Sequence, residues 1–283
     1  MIVGAPSGAI ASATLVDRAS ERPTLAATVA SLVRYRELMK NLVLKDLKLK
    51  YRGSVLGFMW SLINPIVMVG VYAIAFTFIL QTRVEGFVLF LLLGILPWGF
   101  FVNSANMATG AIIDNGNLMK SVAFPRAILP ASVVFFNLAQ YLLTVIVLLP
   151  IMLVAYQVPL SGLTLLYPVF LSLQVLFTIG VALLLAVGTT FFRDIRHLLE
   201  IALSVLFWLT PIVYPVTQAS PGVRKLILLT PLSPFVVAYQ QIFYYRTWPS
   251  IELWTMAFLY ALVTFGVGIW VFLAVEDRLV EHI

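Results

Sequence analysis

Long apolar segments with no charged residue in their interior dominate this sequence. About 20 consecutive apolar residues are enough for a helix to cross the hydrocarbon core of a bilayer. Charged residues make up only 11% of the 283 residues, whereas soluble domains carry about 25%, and the mean hydropathy is +1.02. Too few charges remain to cover the surface of a soluble globule, so the sequence predicts an all-α polytopic membrane protein.

The apolar segments predict six transmembrane helices within a membrane domain that covers residues 53–283. Residues 214–250 are also fairly apolar, but five prolines divide them into helical pieces too short to cross the membrane. This pattern predicts a re-entrant helical hairpin between spans five and six. A polar loop at 110–126 separates the second span from the third. The predicted spans are 55–80, 87–109, 127–153, 163–192, 198–213 and 253–275.

Basic residues are concentrated ahead of the first span. Residues 32–52 alternate Lys, Arg and Leu so that one helical face is apolar and the opposite face is basic, which predicts an amphipathic helix in the membrane interface. Residues 1–31, rich in Ala, Ser and Thr, are expected to form a loosely ordered cytoplasmic leader. With the N-terminus in the cytoplasm, 14 of the 18 Lys and Arg residues lie on the cytoplasmic side, which predicts that both termini are cytoplasmic. The four on the outer side are Arg83, Arg224, Lys225 and Arg246.

Residue types that catalysis and ion transport require are scarce. The sequence has no cysteine and only two histidines, His197 and His282, far apart in the chain. We therefore expect no catalytic residues, metal or cofactor in this chain, and no binding of nucleic acid, since the basic residues serve orientation. No predicted span has a charged residue in its middle, which disfavours ion-coupled transport. No Gly-rich phosphate loop followed by Lys is present, so the energy for pumping would have to come from a partner.

Four short motifs resemble the permeases of type-2 ABC exporters, in the family that exports O-antigen, capsule and teichoic acid (polyol phosphate). The sequence YRGSVLGFMW at 51–60, followed by Asn64-Pro65, is similar to the opening of the first span in that family. NLMK at 117–120, with FPR at 124–126, resembles its cytoplasmic loop. FFRDIR at 191–196 and PLSPF at 231–235 are similar to its turn after the fourth span and to the element before its last span.

The resemblance implies a homodimer in the bacterial cytoplasmic (inner) membrane that binds two copies of an ABC ATPase subunit, which would hold the ATP and magnesium. The loop 110–126 would contain the coupling helix that docks on the ATPase. Its apolar residues lie among polar ones, which favours a protein partner, although contact with lipid headgroups is the alternative. The pair at 193–194 either contacts the ATPase or seals the ends of two spans. The coupling candidates are Asp114, Asn115, Asn117, Leu118, Met119, Lys120, Arg193 and Asp194.

Basic residues of the interface helix and aromatic residues of the spans are the candidate substrate contacts. Arg binds phosphate oxygens bidentately and Lys binds them as a point charge, so the cations are candidates for a lipid pyrophosphate; setting orientation is their alternative role. Sugars stack on aromatic rings, whereas interfacial belts and helix packing account for many rings without a substrate. The pyrophosphate candidates are Arg34, Arg36, Lys48, Lys50 and Arg52, and the glycan-channel candidates are Trp60, Tyr72, Trp98, Phe135, Tyr141, Trp208 and Tyr239.

The function that we predict is the permease subunit of an ATP-driven exporter of polyprenyl-pyrophosphate-linked polysaccharide, itself not an enzyme. A small-molecule or drug ABC exporter permease is the nearest alternative. A membrane-embedded glycan enzyme is a further alternative, but its only acids on the outer side would be Glu85 and Glu252, with no histidine there. A secondary transporter is disfavoured by the lack of buried carboxylates and of inverted repeats.

Overall fold

The computed structural model describes residues 34–54, 56–57, 59–79, 84–122, 124–159 and 161–280, and every regular element in these ranges is helical. The predicted all-α fold is thereby confirmed. The predicted leader, 1–31, lies outside the described residues. The described part of the chain contains ten α-helices: α1 (Arg36–Tyr51), α2 (Met59–Ile74), α3 (Phe87–Ala108), α4 (Gly116–Ser121), α5 (Ile128–Ala155), α6 (Tyr167–Phe191), α7 (Ile195–Leu209), α8 (Pro221–Leu228), α9 (Ser233–Gln240) and α10 (Ile251–Val275).

Five segments are long and apolar enough to cross a membrane, which confirms a multi-span membrane fold. Three of them are the single helices α3, α5 and α10. The other two include a tighter or wider turn: α2 continues as a π-helix to give Met59–Ile79, and α6 follows a 3-10 turn to give Gly162–Phe191. All five overlap predicted spans, namely the first four and the last. Proline is the first residue of α8 and the second of α6 and α9, which is favourable because the first helical turn does not need the backbone N–H that proline lacks.

The region between the fourth and last predicted spans is built from shorter helices. α7 has 15 residues and is therefore only about 22 Å long, whereas the hydrocarbon core is about 30 Å thick. α8 and the segment Ser233–Tyr245 meet at a bend of 106° and together count as a sixth span or as a re-entrant loop. The predicted fifth span, 198–213, and the predicted hairpin, 214–250, therefore stay predictions.

Hydrogen bonds show which loops share an end of the helix bundle. At the coupling end, where α3 and α10 finish and α5 begins, the Arg126 N–H donates to Glu276 Oε1 at 2.9 Å. At the hairpin end, where α3 begins, the Tyr244 hydroxyl donates to the Glu85 carbonyl at 2.5 Å. The Tyr260 hydroxyl donates to the Leu229 carbonyl at 2.6 Å. Since Tyr260 lies nine residues into α10, or about 14 Å along it, the turn between α8 and α9 reaches well below the hairpin end.

The packing is dense around α3 and sparse around α2. Within the most apolar windows, 67% of α3 is buried but only 11% of the α2 span. α6 and α10 form the most extensive helix pair, and they approach closely where Gly180 faces Thr264 and Gly268. Small residues let two membrane helices come this close. One long face of α2 is therefore left without a partner among the described residues.

Candidate functional site

A groove of about 620 Å³ opens between α2, α3 and α5. Its wall combines amides and hydroxyls with aromatic rings, and Lys50 supplies a cation at the end nearest the start of α2. Such a lining is unusual for a surface at membrane depth, because hydrocarbon cannot satisfy polar groups. The polar residues of the groove are Ser61, Asn64, Asn103, Asn137, Gln140 and Thr144, and its aromatic residues are Trp60, Trp98, Phe100 and Tyr141.

Lys50 and Gln140 form the most polar point of the groove. The Lys50 ammonium donates to Gln140 Oε1 and lies 5.8 Å from the centroid of the Phe136 ring. Tyr51, the next residue, hydrogen bonds through its hydroxyl to Ser61 and, at 3.4 Å, to Gln140 Oε1. Partial burial lowers the pKa of Lys50 from its ordinary value of 10.5. The cluster therefore holds a basic group that is partly withdrawn from solvent.

One donor in this cluster has no acceptor within the described structure. Gln140 is 8% exposed, and its buried Nε2 makes no hydrogen bond there. A buried amide donor without an acceptor costs about 1–3 kcal/mol. An oxygen atom of a ligand in the groove would relieve that cost and could accept from the Lys50 ammonium as well. The geometry therefore suits a phosphate or hydroxyl oxygen.

The five predicted pyrophosphate residues lie in different surroundings. All five are exposed on or beside α1, but only Lys50 lines the groove. α1 packs along α5 through Leu42, which is buried. Only one of the predicted cations is thus brought to the groove in the described structure. The other four residues are Arg34, Arg36, Lys48 and Arg52.

The predicted channel aromatics divide into three groups. Trp60, Trp98 and Tyr141 line the groove, but Tyr141 is only 6% exposed and its hydroxyl hydrogen bonds to that of Tyr167 at 2.8 Å. The Tyr72 ring packs on Phe207 of α7, with 5.8 Å between the two ring centroids, and the exposed Trp208 follows Phe207 in the chain. The predicted residues Tyr72 and Trp208 therefore lie along the neighbouring face of α2 and α7.

The third group lies within the bundle. Phe135 is half-buried and packs against the core. Tyr239 is buried and donates through its hydroxyl to Gln174 Oε1 at 2.8 Å, and Gln174 Nε2 donates to the Pro97 carbonyl at 2.9 Å. In this conformation Tyr239 joins three helices, α9, α6 and α3, and does not face the groove.

The amides of the groove were missed by the sequence analysis, although the sequence carries a signal for them. Asn137, Gln140 and Thr144 recur at spacings of three and four in α5, which places them on one helical face. A polar stripe in an otherwise apolar span points to a protein or water contact.

A second candidate surface lies at the coupling end. The segment between α3 and α5 contains a 3-10 turn, Ile113–Asn115, and the short helix α4. The Asp114 carboxylate folds back on the backbone of Gly110, leaving no room there for a Cβ, and Asn115 Nδ2 donates to the Ala111 carbonyl at 3.0 Å. These contacts hold the loop in a compact form.

The predicted coupling residues differ in how far they are available to a partner. Asp114, Asn117 and Lys120 are exposed, and Asn115 and Leu118 are half-buried. Met119 is buried in the main core, where it anchors α4 to the bundle. Apolar side chains are exposed beside them: Ile113 and Val122 belong to the apolar residues of the loop that favour a protein partner, and Phe192, at the end of α6, is 69% exposed.

The turn that carries Arg193 and Asp194 adjoins the start of this loop. Both residues are exposed. The Arg196 Nε donates to Thr109 Oγ1 at 3.3 Å, and the Thr189 hydroxyl donates to the Thr109 carbonyl at 2.7 Å. The coupling surface, which we define as residues 110–122 with 192–194, is therefore one continuous patch of charged and apolar side chains. Exposed apolar residues of this kind mark contacts with a partner.

In the described ranges no group of three acidic or histidine side chains is placed to hold a metal.

Comparison with known proteins gives consistent matches. The family model described as "ABC-2 type transporter" matches residues 37–244. The O-antigen export system permease protein RfbA of Myxococcus xanthus is 37% identical over 229 residues, which cover 79% of this chain and 86% of that protein. Two Klebsiella pneumoniae proteins of the same name are 28% identical over 199 residues and 27% identical over 237 residues. These cover 70% and 84% of this chain, and 77% and 91% of the relatives.

Proposed function

The chain belongs to the ABC-2 type transporter family, and on that premise we propose that it is the permease subunit of an exporter that moves a polyprenyl-pyrophosphate-linked polysaccharide out of the cytoplasm. The observation that carries the proposal is the 37% identity with an O-antigen export permease along 86% of that protein. The polar and aromatic groove supports it independently, since a glycan needs both hydrogen bonds and ring contacts.

The energy would come from two copies of an ABC ATPase subunit, which hold the ATP and magnesium. The coupling surface is the site where they would dock, because it joins exposed apolar residues to charges at one end of the bundle. This end would then lie in the cytoplasm of a bacterium, with both termini, as the distribution of Lys and Arg favours.

A second copy of the chain would complete the transport path. The α2 span is only 11% buried within the chain, and the groove opens along it. In a homodimer the two α2 faces would enclose this polar surface and separate it from lipid. Such closure removes amides from hydrocarbon, which lowers the free energy of the assembly.

The groove would act in two steps during export. Lys50 and Gln140 would bind phosphate oxygens of the lipid carrier, with the ammonium as a point charge and the free amide as a neutral donor. The glycan would then move past Trp60 and Trp98, whose flat rings would contact successive sugars without a deep pocket. The hairpin α8–α9 would be the outer gate, held closed by the hydrogen bonds from Tyr244 and Tyr260.

The proposal is tested by gentle purification through a tag on the N-terminus, followed by identification of the proteins and lipids that copurify. We expect an ATPase subunit with a phosphate-binding loop in near-equal amount, together with a polyprenyl-linked glycan. An ATPase with only small molecules would instead support a small-molecule exporter. If no ATPase is found under conditions that preserve known complexes of this kind, the proposal is wrong.

A further inference from the structure

A cleft of about 370 Å³ separates the coupling helix α4 from the C-terminal turn, which we define as residues 276–279. Lys120 and Val122 lie on the α4 side of this C-terminal cleft, and Glu276 and Asp277 lie on the other side. Val122 is 52% exposed, and the Asp277 carboxylate is fully exposed. The cleft extends the coupling surface toward the last span.

The C-terminal turn is firmly attached to the bundle in spite of its place near the end of the chain. The guanidinium of Arg126 donates to the Glu276 carbonyl, and the Arg126 N–H donates to the Glu276 carboxylate. A cation at the last carbonyls of a helix satisfies acceptors that lack partners within the helix. Leu279 has no exposed surface and packs in the main core. A displacement of the turn would therefore also move the start of α5, through Arg126, and the end of α10, to which the turn is directly joined.

We propose that the C-terminal turn is a second docking element for the ATPase subunit, which inserts into the cleft a segment that offers an apolar side chain to Val122 and a basic group to Asp277. This inference rests on the proposed function. The cleft is lined by two cations, Lys120 and Arg126, and two carboxylates, Glu276 and Asp277, with the Arg126 guanidinium 4.0 Å from Asp277. It therefore has no net positive charge with which to attract an anionic lipid surface. A protein partner can match both the carboxylate and the apolar surface beside it.

The absence of cysteine in the native sequence allows a direct test by labelling. Asp277→Cys and Glu252→Cys place one thiol at each end of α10, and both native side chains are exposed. In the complex, we expect a water-soluble maleimide to label the thiol at 277 several-fold more slowly than in the permease alone. The thiol at 252, at the hairpin end, should react equally in both. Equal labelling at 277 with the ATPase bound would overturn the inference.

Charge reversal gives an independent measurement. Asp277→Lys should reduce the amount of ATPase that copurifies, whereas Glu252→Lys, the same change at the other end of the same helix, should not. A monodisperse elution profile for both variants shows that they fold. If the native permease retains no ATPase, the proposed function itself fails. If the native permease and Asp277→Lys retain equal amounts, only the second docking element is wrong.

Discussion

The contact between α6 and α10 gives a prediction whose size follows from the structure. Gly180 of α6 lies so close to α10 that a Cβ at this position would be 2.5 Å from the Phe265 backbone nitrogen. Real Cβ atoms essentially never come within 3.0 Å of such atoms. The obstacle is backbone and not a flexible side chain, so no rotamer change removes it. Gly180→Ala must therefore separate the two helices.

The cost can be bounded from this geometry. The nearest atoms, the carbonyl carbon and oxygen of Thr264, would lie 2.4 Å from this Cβ, so the helices must part by about 0.6 Å to reach the 3.0 Å limit and by about 1.0 Å to reach an ordinary contact of 3.4 Å. Because this is the most extensive pair among the described helices, the separation weakens packing along the whole contact. Overpacking of this kind costs about 1–3 kcal/mol. At roughly 2–4 °C per kcal/mol for a chain of this size, we expect the melting temperature to fall by about 2–12 °C.

The measurement is the thermal stability of purified protein in detergent, followed by the loss of monodisperse material on size exclusion. Gly266→Ala is the matched control, since it makes the same change on the other helix of this pair, α10, at a position where a Cβ meets nothing within 4 Å. The control should melt within about 1 °C of the native chain, because Ala also favours the helix. If Gly180→Ala is as stable as Gly266→Ala, the close approach of the two helices is wrong.

Three further predictions concern the groove and the polar contact behind it. Lys50→Met should weaken binding of a polyprenyl pyrophosphate about 10- to 100-fold, the loss of one charge-assisted hydrogen bond, whereas Lys48→Met on the exposed side of α1 should leave it nearly unchanged in the same lipid-binding assay. Burial lowers the pKa of Lys50, so the affinity of the native protein for the pyrophosphate should fall as the pH rises toward 10.5. Lys50→Arg should keep its affinity through that range, and parallel pH profiles for the two proteins would contradict the role of this ammonium. Tyr239→Phe leaves Gln174 Oε1 without its donor and should cost about 1–3 kcal/mol in thermal stability, whereas Tyr72→Phe, at a half-buried ring, should cost less.

The spans were predictable because hydropathy is a local property. A helix such as α3, with a long apolar run between polar residues, is identified by its own sequence. The course of the chain at α7 is harder to predict. The helix has only 15 residues and prolines follow it, so tertiary contacts and not local sequence determine the path of the chain there. The Tyr260 and Tyr244 hydrogen bonds that fix the hairpin join residues far apart in the sequence.

The candidate site was predictable in kind and less so in detail. A cation near the first span is visible in the sequence, but the choice of Lys50 over Lys48 depends on which face of α1 meets α5. Tyr239 and Met119 were predicted as contacts because of their residue type and position. Both are buried in the described structure, since a ring or a thioether in an apolar segment packs as readily as it binds.

The amides along the groove have a consequence for the abundance of this protein in the membrane. Asn64 and Asn103 are exposed on a single protomer at membrane depth, and each polar group that faces hydrocarbon without a partner costs several kcal/mol. A newly inserted, solitary protomer would therefore be the least stable form of the chain. We expect unassembled copies to be the preferred substrates of membrane quality-control proteases, so that permease abundance follows the rate of assembly and not the rate of synthesis.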